Sequence, residues 1–103
     1  MSAAELLAFY RARLAEDDTR ARAEIAKPGM NDHNPETYNR PERMLAEVAA
    51  KRAIADAWEQ REAERPQPGG DVFGYHATGL LIAIKHLATA WSDHSDYRVD
   101  WRA

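Results

Sequence analysis

The sequence contains no cysteine. Disulfides and thiolate metal centres are therefore excluded, and nothing points to an oxidising compartment. Long apolar runs are missing too. The longest, Leu80 to Ile84, falls far short of the ~18 residues of a membrane span. Ser2 to Leu14 carries Arg11 and Arg13 and no continuous apolar stretch, so no export signal is expected there. Positive charge is not in excess: the net charge is −3. That balance disfavours a nucleic-acid binder relying on bulk charge. Large side chains are scarce as well. The apolar fraction of 45% includes 20 alanines, which leaves 26 large apolar residues for a core.

What is present reads as helix. At 103 residues, one domain spanning 1–103 is expected. Ser2-Ala-Ala-Glu5 forms a capping box, after which Leu6, Leu7, Tyr10, Leu14, Ala21 and Ile25 recur at helical spacing. Glu16 with Arg20 and Asp18 with Arg22 stand one turn apart. This first helix, about 3–26, stops at Lys27-Pro28-Gly29. The polar stretch from Met30 to Arg40 reads as a surface crossover of roughly a dozen residues.

Pro41 suits the first position of a second helix, about 41–64, because its missing amide costs nothing there. Met44, Leu45, Val48, Ala55 and Trp58 make its stripe, and Pro66 ends it. Gln67-Pro68-Gly69-Gly70 is a second linker. A third helix, about 72–91, is capped by Asp71. Phe73, Ala77, Leu80, Ile84, Leu87 and Trp91 form its seam. Gly74 and Gly79 either permit a close contact or delay the start to Thr78. A short turn over 95–101 places Tyr97 and Trp101 four residues apart, where they can fold back onto the bundle.

No window alternates with period two. The expected fold is all-α: an elongated three-helix bundle, or a helical hairpin plus a third helix, with a short C-terminal aromatic turn. Helices of roughly 20 to 24 residues run about 30 to 36 Å, against a radius of gyration near 13 Å for a compact chain of this length. Rods this long with so few large side chains are expected to leave apolar stripes for a second copy or a host protein to cover. No membrane partner is expected.

Several motifs tempt and fail. Gly74-Tyr-His-Ala-Thr-Gly79 has P-loop glycine spacing, but Leu80 and Leu81 stand where lysine and a hydroxyl residue are needed. Asn31-Asp32-His33-Asn34 lacks the ligand pattern and central glycine of a calcium loop. His76 and His86 lie about 15 Å apart along one helix. His86, Asp93, His94 and Asp96 are the one plausible metal set, with a capped polar turn as the alternative reading of the last three. Catalysis lacks a cysteine nucleophile and a Gly-x-Ser-x-Gly elbow, and Glu16, Asp17 and Asp18 point apart. Neither an enzyme nor a cofactor is expected. Weak nucleic-acid binding through Arg11, Arg13, Arg20 and Arg22 is a further alternative, offset by acidic neighbours. Trp58, Trp91 and Trp101 read as core anchors.

Three stretches resemble a family of small uncharacterised actinobacterial and actinobacteriophage proteins, a domain of unknown function. They are Phe9-Tyr-Arg-Ala-Arg-Leu-Ala-Glu-Asp-Asp18, Arg40-Pro-Glu-Arg-Met-Leu-Ala-Glu-Val-Ala-Ala-Lys-Arg52, and Leu87-Ala-Thr-Ala-Trp-Ser-Asp-His-Ser-Asp-Tyr97 closing with Trp101. In the family pattern a His-Asp pair precedes the proline of the middle motif. Asn39 and Arg40 stand there in this chain, which removes one arm of any site shared with His94. The resemblance implies no activity. It marks Arg43, Glu47, Lys51, Arg52, His94, Asp96, Tyr97 and Trp101 for testing. The combined expectation is a non-catalytic, cytoplasmic, self-associating helical interaction module, with phage or prophage encoding. A small metal- or ligand-binding domain is its rival.

Overall fold

A computed structural model describes residues 2–27, 35–70 and 74–102. The chain forms α1 (Ala3–Ala26), α2 (Pro35–Glu64) and α3 (Tyr75–Ala88), then two 3₁₀ turns, Thr89–Trp91 and Val99–Trp101. No strand occurs among the described residues. The fold is the expected all-α bundle of three helices. α2 packs against both α1 and α3. Its 30 residues extend about 45 Å and set the long dimension of a 54 × 31 × 17 Å body. The radius of gyration, 16.7 Å, exceeds the ~13 Å of a compact chain this size.

Local chemistry explains the ends. The Ser2 hydroxyl accepts the Glu5 amide at 3.4 Å and starts α1. The Glu5 carboxylate does not complete the box; it meets Arg98 at 3.3 Å. α2 opens at Pro35, six residues before the expected start, and Pro41 is buried inside the helix. Pro35-Glu36 and Pro41-Glu42 give the same local signal, so the sequence could not separate them. The crossover is shortened accordingly, and residues 28–34 lie outside the described set, as does the Asn31 to Asn34 motif.

α3 starts at Tyr75 instead of 72, and Gly74 precedes it with φ +71. Such a left-handed backbone favours glycine. Asp71 and Phe73, expected as cap and first seam residue, lie outside the described residues. α3 proper ends at Ala88, with 89–91 wound more tightly as 3₁₀. The last expected turn is confined to 99–101.

The core gathers Leu6, Tyr10 and Leu14 from α1, Val48 and Ala55 from α2, Ile84 and Ala88 from α3, and Trp101 from the tail. Burying each large side chain contributes about 1.5 to 3 kcal/mol. Phe9 and Arg13 are buried although neither belongs to the expected stripe. The C-terminal segment covers them. Part of the edge assigned to a partner is thus closed by the chain's own tail. Four large apolar residues remain exposed among those described: Ile25, Tyr75, Ile82 and Val99.

Candidate functional site

The densest chemistry lies where the tail crosses α1. His94 donates its amide to the Trp91 carbonyl at 2.9 Å, Tyr97 to His94 at 3.0 Å, and Trp101 to Arg98 at 3.0 Å. Successive i to i+3 bonds eclipse side chains three apart. They bring Trp91, His94 and Tyr97 to one side, and Trp101 follows. All four rings surround Phe9, with centroid distances of 6.5, 5.5, 5.9 and 5.0 Å respectively. The first three meet it edge-on, which the ring quadrupoles favour.

Arg13 lies one turn beyond Phe9 and is 8% exposed. Its guanidinium stacks 5.0 Å from the Phe9 centroid. One terminal nitrogen reaches Glu16 at 3.1 Å; the other contacts both nitrogens of His94, 3.0 Å from Nδ1. The Asp96 amide also donates to His94 Nδ1 at 3.0 Å. The Asp96 amide can only donate, so Nδ1 is the acceptor nitrogen of the ring. Three buried polar atoms in this corner have no hydrogen-bond partner: Arg13 Nε, the Tyr97 hydroxyl and Trp101 Nε1. Alongside runs an open groove of about 420 Å³ between α1 and the tail.

A second cluster ties α1 to α2. Tyr10 donates its hydroxyl to the Lys51 carbonyl at 2.9 Å. Burial pushes the Tyr10 phenol up to about 12, with the Arg11 charge pulling the other way. Arg11 pairs with Asp56 at 2.9 Å and Glu59 at 2.7 Å. Asp18 is held by Arg22 at 2.6 Å and Arg52 at 2.9 Å. Those two guanidiniums keep its carboxyl below the ordinary range. The expected Asp18–Arg22 pair is present, whereas Glu16 takes Arg13 and Arg20 takes Asp17 at 3.5 Å. Each of the four α1 arginines is therefore engaged by an acid.

The residues singled out in the sequence divide between these places. Lys51 lies 5.9 Å over Trp91, Arg52 holds Asp18, and Tyr97 and Trp101 close the aromatic corner. Trp58 and Trp91 are half-buried against the core. Arg43 and Glu47 sit on the exposed side of α2, away from it.

The proposed metal set is not gathered. Among the described residues no three His, Asp or Glu side chains approach as a metal ion requires. His86 is exposed at the end of α3, and Asp93 and Asp96 are exposed in the turn. The Arg13 guanidinium occupies the ring edge of His94 that a cation would need. Residues 92–96 form a polar turn in which His94 Nδ1 accepts the Asp96 amide. Sequence reading missed Phe9 and Arg13 as its anchors. The available signal was Phe9 and Arg13 at i and i+4, facing a tail with aromatics every three residues.

The model of a family described as a family of unknown function (DUF6221) matches residues 3–103, so the chain belongs to that family. No curated protein matches the chain. No solved structure matches it either.

Proposed function

We propose that this member of a family of unknown function is a non-catalytic helical interaction module that pairs with a second copy of itself through the outer face of α3. The chemistry of that face carries the reading. Its exposed positions, 75, 76, 78, 79, 82 and 86, hold no Asp, Glu, Lys or Arg, in a chain where 30% of residues are charged. Tyr75 is 76% exposed and Ile82 47%. A Cβ placed on Gly79 would meet nothing within 4 Å, so bare backbone lies between the two large side chains.

A two-fold interface requires one self-complementary patch. Two copies laid antiparallel about Thr78 and Gly79 set Tyr75 of each against Ile82 of the other. The glycines then let the backbones approach closely. The corner around Arg13 supports the non-catalytic part, because the Nδ1 of its one imidazole is taken by the Asp96 amide. Actinobacterial, phage or prophage encoding belongs to the same proposal and rests on the motif resemblance alone.

Sedimentation equilibrium at micromolar concentration tests the pairing. A dimer is expected, and Ile82→Glu is expected to weaken it at least about tenfold, the effect of one misplaced interface charge. The helical circular dichroism should not change. A strictly monomeric native chain, or a dimer indifferent to Ile82→Glu, overturns the reading.

A further inference from the structure

The groove between α1 and the tail is lined by no residue of α3, so that pairing leaves it unused. Its floor is apolar, formed by Ala8, Ala12 and the edge of Phe9. Its end wall is Trp101, 2% exposed, beside Arg13. Trp101 Nε1 and Arg13 Nε are N–H donors that cannot act as acceptors, and neither has an acceptor. A buried donor without a partner is costly, and native structures hold few. Both belong to residues that line this groove, and each lies just beneath its surface with no acceptor.

We propose that this groove binds a small apolar monocarboxylate, with its carboxylate taken by Arg13 Nε and Trp101 Nε1 and its apolar body on Ala8, Ala12 and Phe9. A carboxylate brings two oxygens and no hydrogens, which matches two donors. Its charge is drawn by Arg13 and by Arg98 at the rim. The rim also carries Glu5 and Asp96, and Glu16 already pairs with Arg13. With two guanidiniums and three acids around it, the groove disfavours a phosphate dianion more than a single carboxylate charge.

Both donors are covered from water while the groove is empty. Reaching them requires a side chain at the groove to yield, and in this proposal that is Arg98, which is half exposed and held by its 3.3 Å pair with Glu5. Entry of the ligand turns Arg98 away from Glu5 and uncovers the two N–H groups.

Nuclear magnetic resonance on the full chain, labelled with ¹⁵N, tests this directly. Its three tryptophans give three indole N–H signals. The probe is 3-phenylpropionate; 3-phenylpropanol, with the same body and no carboxylate, and inorganic phosphate are the controls. The acid should shift the Trp101 indole signal progressively while those of Trp58 and Trp91 stay nearly still. The alcohol and phosphate should bind at least about tenfold more weakly, the loss of a charge-assisted hydrogen bond. Trp101→Phe keeps the ring and removes the donor, and should weaken the acid by a similar factor as read by calorimetry. Arg98→Gln, at an exposed position, should weaken it several-fold and serves if Trp101→Phe folds poorly. No shift at Trp101, equal binding of acid and alcohol, preferential binding of phosphate, or affinity unchanged in both variants each overturns the proposal.

Discussion

The Tyr10 hydroxyl donates to the main-chain carbonyl of Lys51 across 2.9 Å. Tyr10 is wholly buried, and this part-buried bond joins α1 to the middle of α2. Lys51 acts a second time through its ammonium, which lies 5.9 Å over the Trp91 ring. That ring stands edge-on to Tyr10 at 6.0 Å. One residue of α2 thus holds a side chain from α1 and another from the turn after α3.

The pH dependence follows from the raised phenol. Tyr10 moves from 10.0 to about 12 on folding, chiefly because burial opposes its ionised form. Below pH 10 the phenol is neutral in both states and its stabilisation is complete. Between pH 10 and about 12 the unfolded chain ionises and the folded chain does not, so stability falls. Melting temperature should drop across that window. Tyr10→Phe should lose about 1 kcal/mol at neutral pH and show a shallower alkaline decline. Parallel declines in the two proteins would count against the assignment.

At the acid end Asp18 behaves oppositely. Arg22 and Arg52 hold its carboxyl below the ordinary 3.8. Its contribution is present above that value and disappears as the pH falls through the lower folded value. Asp18→Asn should melt lower than the native chain at pH 7, with the gap narrowing as the pH falls below 3.8. A gap that does not narrow in acid would assign the effect to packing.

Helical content and the three-rod architecture were legible because the signals were local. Ser2 capped α1, and the seam of Ala77, Ile84 and Trp91 kept helical spacing. The start of α2 was not legible, since Pro35 and Pro41 each precede a glutamate and offer the same cue. The burial of Arg13 was hidden for another reason. An arginine flanked by Ala12 and Leu14 reads as surface until a segment some eighty positions later brings Phe9 an aromatic cover and Arg13 an imidazole. The metal reading of His94 failed on the same long-range fact.

The tail is therefore structural. Trp101 is 2% exposed and lies 5.0 Å from Phe9, whereas Val99, two residues earlier, is 71% exposed. Trp101→Ala should cost about 3 to 5 kcal/mol, as removal of a buried indole does. Val99→Ala should change stability by less than about 0.5 kcal/mol. Urea denaturation followed by circular dichroism measures both. Similar costs would mean that the tail does not seal the core.

Gly74, which precedes α3, and Gly79 within it should respond in opposite directions. Gly74 holds φ +71 before the first turn, and a Cβ there would press on the Arg65 guanidinium at 3.0 Å. Gly74→Ala should destabilise by about 1 to 2 kcal/mol, the cost of a left-handed backbone in an L-residue. Gly79 sits in the helix interior with open space where its Cβ would be. Gly79→Ala should stabilise the monomer by about 0.5 to 1 kcal/mol, because alanine loses less backbone freedom on folding. The same methyl would stand in the gap that two paired α3 helices need. Denaturation of dilute Gly79→Ala should therefore show a more stable chain, while sedimentation at higher concentration shows a weaker dimer. A variant that gains stability and keeps its dimer would leave the fold as described and move the pairing away from Gly79.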